Sequence, residues 1–326
     1  VLVGPTASGK TSLAIRVAER RIDRGLPTEV VSCDSMAVYR GMDVGTATPT
    51  PEERAGVPHH LLDVVDPWEE FSVQRFVELA DDALDDVESR GASALLVGGT
   101  GLYVQAVTDA LDLPGRYPET VAALEPLSTD ELTARLIELD PVAADRVPPG
   151  NRRRLLRALE VTIGSGRRFS ESGPGLTAFP STPFVLTGLA VPRDVLRARI
   201  GARYRRQVAD GLVDEVRALV EEPRGISRTA AEALGYRELL AHLRGEVAMD
   251  EALSVAEQRT GRFAVRQERW FRRDPRIEWF AAGGDVDVAE LAGRVDDHWR
   301  QATAAAGLVD PDDGDAPTTV GPSCCD

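Results

Sequence analysis

Cysteine is scarce: the 326 residues hold three, Cys33 and the adjacent pair Cys324 and Cys325. That spacing provides neither a disulfide framework nor a zinc-ligand set, so the thiols read as incidental. No apolar run approaches the roughly 18 residues of a membrane span, and no charged-then-apolar leader opens the chain. A cytoplasmic location with no membrane partner is therefore expected. Positive charge is also short, with 38 Lys and Arg against 53 Asp and Glu, a net charge of −15. Averaged over a whole surface, that sign disfavours a nucleic-acid partner. There is no internal repeat.

The chain does hold the ordinary ingredients of a globular protein: 43% hydrophobic and 28% charged residues, enough for one large α/β domain with an insertion or for two domains. The acidic charge crowds into Asp81–Glu88, the segment near Asp130–Asp145 and the C-terminal stretch. Two arginine-rich segments stand apart from it. Arg152, Arg153, Arg154, Arg157, Arg167 and Arg168 form one; Arg259, Arg262, Arg266, Arg269, Arg272 and Arg273 form the other. Phosphate binding follows the local field, so such clusters can act within an acidic protein.

Three short apolar runs, Val1–Val3, Val30–Ser32 and Ala94–Val97, each stop at a polar or glycine-rich turn followed by helical sequence. This rhythm predicts parallel βα units. Phe184–Val191 meets Pro192, which suits the first turn of a helix through Arg193–Val208, and Ile277–Phe280 reads as a further strand. Between Leu113 and Pro183 the rhythm changes to helices separated by Pro and Gly. The expected organisation is a phosphate-loop nucleoside-triphosphatase-like parallel sheet flanked by helices. Its first part spans 1–112, a helical insertion 113–183, and the second part, with an arginine-rich helix, 184–305. The chain opens inside a probable strand, so a short N-terminal piece is expected to be missing. Residues 306–326 read as a disordered tail rich in Asp, Pro, Gly and Thr.

Gly4-Pro5-Thr6-Ala7-Ser8-Gly9-Lys10-Thr11 satisfies the phosphate-loop pattern in the required context, with a strand before it and helical Ser12–Arg20 after it. Glycines let the backbone wrap an anion, amides at the helix N-terminus point at its oxygens, and Lys10 adds a full charge. Thr11 can give its hydroxyl oxygen to Mg²⁺, the one cofactor expected. In open parallel sheets, ligands sit outside the carboxyl ends of the strands. The phosphate loop, Asp34-Ser35-Met36 and Gly98-Gly99-Thr100-Gly101 all follow strands and should meet there. Asp34 has an alternative as a helix N-cap or a magnesium ligand, and Thr100 one as a turn or capping residue. Arg199 and Arg203, four apart on one helix, suit either a solvated face or the phosphates. His59-His60 looks like a metal pair, but neighbours seldom direct both side chains to one ion.

These stretches resemble the bacterial tRNA dimethylallyltransferase family, also called tRNA isopentenyltransferase. The resemblance runs over most of Val1–Phe280: Gly4–Thr11 (GPTASGKT), Asp34–Tyr39 (DSMAVY), Gly41–Ala47 (GMDVGTA), Pro58–Asp63 (PHHLLD), Asp66–Ser72 (DPWEEFS) and Val97–Tyr103 (VGGTGLY), then Asp140–Ala144 (DPVAA), Arg154–Val161 (RLLRALEV), Gly211–Val216 (GLVDEV), Ala233–Glu238 (ALGYRE) and Arg266–Arg272 (RQERWFR). A phosphate loop alone is unspecific, whereas this ordered series is specific. The resemblance implies transfer of a dimethylallyl group from dimethylallyl diphosphate to N6 of the adenine 3′-adjacent to the anticodon, in tRNAs reading codons that begin with U. By the same resemblance Asp34 is the general base, and Lys10, Thr11, Thr100 and Arg203 handle the diphosphate. Ser35, Met36 and Ala37 would lie against the target nucleotide. Arg153, Arg154, Leu155, Leu156 and Arg157, with Arg262 and Arg266, would meet the tRNA anticodon stem-loop, the protein acting as a monomer. The chain departs from the family pattern at Ala37 and Glu232, where Gln is frequent, and at Val265, where a basic residue is common.

Three rival classes remain open at this level. A small-molecule kinase using ATP would explain Lys10, Thr11 and Asp34 but leaves the insertion and the arginines without a role. A prenyltransferase acting on free adenine nucleotides needs no arginine clusters, and a non-enzymatic RNA-binding regulator needs no phosphate loop.

Overall fold

A computed structural model describes residues 1–173, 175–284 and 286–305, so the tail expected from 306 onward lies outside the described residues. In chain order the elements begin with β1 (Leu2–Val3), α1 (Lys10–Ile22), β2 (Thr28–Ser32), α2 (Asp43–Thr46), β3 (His59–His60), α3 (Val73–Ser89), β4 (Ser93–Gly98) and α4 (Gly101–Thr108). Then follow α5 (Pro118–Leu124), α6 (Thr129–Leu139), α7 (Pro141–Arg146) and α8 (Arg152–Ser165). The chain continues through β5 (Thr187–Ala190), α9 (Arg193–Ala209), α10 (Leu212–Glu221), α11 (Arg228–Ala231) and α12 (Tyr236–Leu243). It ends with α13 (Met249–Phe271), β6 (Glu278–Ala281) and α14 (Val288–Ala305). None of the described helices is long and apolar enough to cross a membrane.

Two compact units result, Val1–Val104 with Pro183–Asp326, and Gln105–Thr182. The second begins ahead of Leu113. Proline and glycine after Leu113 are the punctuation visible in sequence, but α4 runs unbroken through Gln105, and Ala106 and Val107 are buried.

The larger unit is an α/β sheet protein. Its strands lie in the order β3-β2-β4-β1-β5-β6, every neighbouring pair parallel. All five residues of β2 are buried, as a parallel sheet covered by helices requires. Leu2, Val30, Leu95, Val97 and Leu189 of the sheet pack with Leu13, Ala14 and Val17 of α1 and with Leu291, Val295 and Trp299 of α14. Trp299 Nε1 also donates to Thr187 Oγ1 at 2.7 Å, pinning α14 to β5. The expected strand Phe184–Val191 narrows to Thr187–Ala190, and Pro192 stands at the N-cap of α9. His59 and His60 form the edge strand β3. His59 Nδ1 lies 2.8 Å from the Val57 carbonyl oxygen and His60 Nε2 lies 2.6 Å from Glu29.

Asp296 of α14 is fully buried and faces three guanidinium groups of α1 and its C-terminal turn: Arg24 at 2.7 Å, Arg21 at 3.1 Å and Arg20 at 3.5 Å. Removing one partner from a buried ion cluster leaves the rest uncompensated. Asp296→Ala should therefore lower unfolding free energy by about 3 kcal/mol in urea titration, the low end of the usual range because Arg20 and Arg24 can reach water. A loss below about 1 kcal/mol would mean that the arginines resolvate freely.

The smaller unit is helical. Leu124, Leu132, Leu136, Ala143, Leu155, Ala158 and Leu159 from α5 to α8 form its core. Ser128 and Glu131 make a reciprocal capping box at the start of α6, which satisfies amides that an unsupported helix end would leave bare.

Candidate active site

The sheet order places β2, β4 and β1 side by side, so the loops leaving their carboxyl ends are neighbours. The first, Gly4–Thr11, turns through left-handed conformations at Ala7 (φ 62°) and Gly9 (φ 88°) before entering α1. Gly4 is confined: a Cβ there would stand 3.0 Å from Ser8 Oγ and 3.3 Å from Leu189 Cβ. Lys10 Nζ folds back to donate to the Pro5 carbonyl at 3.1 Å. From α9, Arg203 Nη1 donates to Thr6 Oγ1 at 2.9 Å and Arg199 Nη1 to the Ser8 carbonyl at 3.4 Å. Both α9 arginines thus face the loop. Ser8 Oγ and Arg203 Nε are buried with no hydrogen-bond partner. Such orphaned polar atoms are uncommon and suit an anionic ligand.

The other two loops are tied to each other. Thr100 Oγ1 accepts the Ser35 N–H at 3.1 Å and donates to Ser35 Oγ at 3.3 Å, while the Thr100 N–H reaches the Cys33 carbonyl at 3.4 Å. Thr100 precedes α4, yet its hydroxyl serves Ser35 rather than an amide of its own helix. Gly98 permits this approach, because a Cβ there would run into the Cys33 carbonyl. Asp34 caps no helix. Its Oδ1 accepts the Met36 N–H at 2.8 Å, closing a local turn. Ser35 and Met36 are half-buried, and Ala37, expected against a nucleotide, is only 6% exposed.

A charge group joins the loops. Burial pushes the Lys10 ammonium down to about 8, with Asp34 opposing that shift and Arg203 adding to it. A bound diphosphate would hold the proton on Lys10, so binding favours the protonated form and weakens as pH rises through the free value. The affinity for dimethylallyl diphosphate, measured by calorimetry, should fall by up to about tenfold per pH unit above about pH 8. Lys10→Ala should abolish this dependence. A flat profile in the unaltered protein would place Lys10 away from the anion.

Thr11 lies exposed in the first turn of α1. Among the described residues no group of three or more His, Cys, Asp and Glu could hold a metal ion. The Thr11 hydroxyl, beside the phosphate loop, is an oxygen donor of the type a hard divalent cation takes.

The arginine segments divide by partner. On α8, Arg153 and Arg154 are exposed, whereas Leu155 is in the helical core and Leu156 packs against it. Arg157 is committed within its own unit: it donates to the carbonyls of Gly115 at 3.0 Å and Pro114 at 2.6 Å and pairs with Glu160 at 2.8 Å. Leu155 is thus buried in this structure, and Arg157 is engaged by its own unit. On α13, Arg262 and Arg266 are exposed, the latter 5.5 Å above the Phe263 ring. Arg259 instead pairs with Glu238 and lies 3.8 Å from Glu232.

One residue with no assigned role is central to this geometry. Gln267 Oε1 accepts the Thr6 N–H at 2.7 Å and its Nε2 donates to the Gly99 carbonyl at 2.8 Å. Its signal in sequence is a carboxamide at a core position of α13, between the buried Ala264 and Phe271.

The family model of IPP transferase matches residues 37–274. The chain belongs to this family. A curated relative, the tRNA dimethylallyltransferase of Kineococcus radiotolerans, is 50% identical, the match covering 90% of this chain and 94% of that one. The tRNA dimethylallyltransferase of Thermobifida fusca is 46% identical over 90% and 92% of the two chains. Among solved structures, the tRNA isopentenylpyrophosphate transferase of Bacillus halodurans superposes with a TM-score of 0.70 at 36% identity, covering 94% of this chain and 96% of that one.

Proposed function

We propose that this protein moves the dimethylallyl group of dimethylallyl diphosphate to N6 of the adenine 3′-adjacent to the anticodon, in cytoplasmic tRNAs that read codons beginning with U. The observation that carries the reading is that a phosphate loop flanked by Lys10 and Arg203 shares one sheet edge with Asp34 and Thr100. A regulator would leave that pairing unused, and a kinase would leave the helical insertion and the exposed Arg153, Arg154, Arg262 and Arg266 without a role. The names of the relatives, all acting on tRNA, support the same conclusion.

In the reaction N6 bonds to the allylic carbon, the bond from that carbon to the diphosphate oxygen breaks with its electron pair, and N6 gives up a proton. The departing oxygens gather negative charge, which Lys10, Arg203 and the loop amides are placed to meet. The adenine amine is a poor nucleophile because its lone pair is delocalised, and Asp34 accepts its proton as bonding begins. Bound Mg²⁺, held through Thr11, would neutralise leaving-group charge. The adenine must leave its stack to present N6 to the Asp34 carboxylate.

Incubation with labelled dimethylallyl diphosphate and unmodified tRNA, AMP, or ATP with small acceptors separates the classes. Label should enter the anticodon stem-loop bearing adenine at the 3′ neighbour and not the same loop bearing guanine. Efficient labelling of AMP with none of tRNA would overturn the proposal. Binding to RNA should also weaken steeply with salt. Arg153→Ala with Arg154→Ala should reduce the log–log slope by about one to two units, since each phosphate contact contributes roughly 0.7–0.9. Arg157→Ala should act chiefly on stability.

A further inference from the structure

A carboxamide inside a helix-packed core is destabilising unless its polar atoms are bonded. Gln267 is 6% exposed on the face of α13 that also buries Ala256, Thr260, Ala264 and Phe271. Both ends of its amide are satisfied, and by backbone groups of two different loops. Thr6, the acceptor side's partner, sits mid-way in the phosphate loop and carries the hydroxyl that receives Arg203. Gly99, the donor side's partner, directly precedes Thr100.

The clasp leaves no slack. A Cβ on Gly99 would run into Gln267 Nε2 and stand 3.3 Å from the Gly4 carbonyl oxygen, and one on Gly101 would run into the Trp270 ring. Glycine on both sides of Thr100 is therefore what lets this loop press against α13. One turn of α13 thus sets the position of the loop that holds Thr100 and, through Thr6, of the phosphate loop.

We infer that Gln267 is a positioning residue for the transfer, its carboxamide fixing the spacing between the diphosphate cradle and Thr100 without touching either substrate. This rests on the function proposed above. The spacing matters because displacement of reacting groups by about 1 Å can cost roughly 10²-fold in rate.

Gln267→Met keeps the length of the side chain and removes both hydrogen bonds. Its single-turnover rate at saturating donor and tRNA should fall by about 30- to 100-fold, with tRNA affinity within about threefold of the unaltered protein. In a Thr100→Ala background the same substitution should cost less than about threefold, because the group it positions is gone. In Gln267→Glu the carboxyl can accept from Thr6 in either form but can donate to the Gly99 carbonyl only when protonated. Its rate relative to the unaltered protein should therefore rise by about tenfold as pH is lowered from about 8 to about 6. A packing role alone would produce neither the non-additivity nor the recovery. Hydrogen exchange gives a readout independent of activity: the peptides containing Thr6 and Thr100 should exchange about tenfold faster in Gln267→Met than in the unaltered protein.

A Gln267→Met rate within about threefold of the unaltered protein, full cost in the Thr100→Ala background, or unchanged exchange in both peptides would overturn the inference. If Gln267→Met does not fold, the pH profile of Gln267→Glu decides. If the unaltered protein fails to label tRNA, the proposed function fails, and the exchange experiment still decides whether Gln267 clasps the two loops.

Discussion

Asp34→Asn should leave folding and diphosphate binding intact while slowing prenyl transfer by about 10²–10⁴-fold, the range for a positioned general base. One carboxylate oxygen of Asp34 is occupied by the Met36 N–H at 2.8 Å. Asn can keep that bond through its carbonyl oxygen, so the turn should survive. What the substitution removes is the second oxygen, which is replaced by an amide NH₂ that donates hydrogen bonds and accepts no proton. Single-turnover measurement with labelled donor and tRNA isolates this step from product release. If Asp34→Asn transferred at a near-normal rate, the carboxylate would be an orienting group and the proton acceptor would have to be sought elsewhere.

Lys10→Ala should reduce turnover by about 10²–10³-fold, as loss of a preorganised donor to developing charge commonly does. The ammonium is held by the Pro5 carbonyl at 3.1 Å, within the loop itself, so its position does not depend on a substrate arriving first. That preorganisation is why the effect should fall on the rate. RNA binding, which draws on exposed arginines, should hardly change. The comparison is kcat at saturating Mg²⁺ and tRNA against filter binding of tRNA. Normal turnover in Lys10→Ala would mean that the diphosphate leaves from another place.

The parts of this arrangement visible in sequence were those written locally. An apolar run that stops at a glycine or aspartate marks both a strand and the loop at its carboxyl end, so β1, β2 and β4 and the meeting of their loops could be read. β3 could not, since two histidines carry no strand pattern and owe their conformation to pairing with β2. α14 lacks such a local mark: Leu291, Val295 and Trp299 recur at helical spacing, but the stretch before them opens with glycines that read as loop. The arginines show a different limit. Their charge is legible, but which of them faces solvent depends on helix orientation: Arg153 and Arg157 share α8 yet only the first is exposed. Glu160, three residues on from Arg157, was the available clue. Gln267 escaped because a bond between residues 261 positions apart has no signature in either segment.

Lys10 is the only lysine in this sequence, and apart from four histidines every other basic side chain is arginine. Burial has brought its ammonium down to about 8, so near neutral pH a larger fraction is free amine than for an ordinary lysine. Acylating reagents and aldehydes distinguish amines from guanidinium groups. For a chemist, this chain therefore carries a built-in handle: a single side-chain amine, less protonated than usual near neutral pH, lying in the phosphate loop. Reagents bearing a phosphate-like group could be delivered to it without competition from any other side-chain amine of the chain.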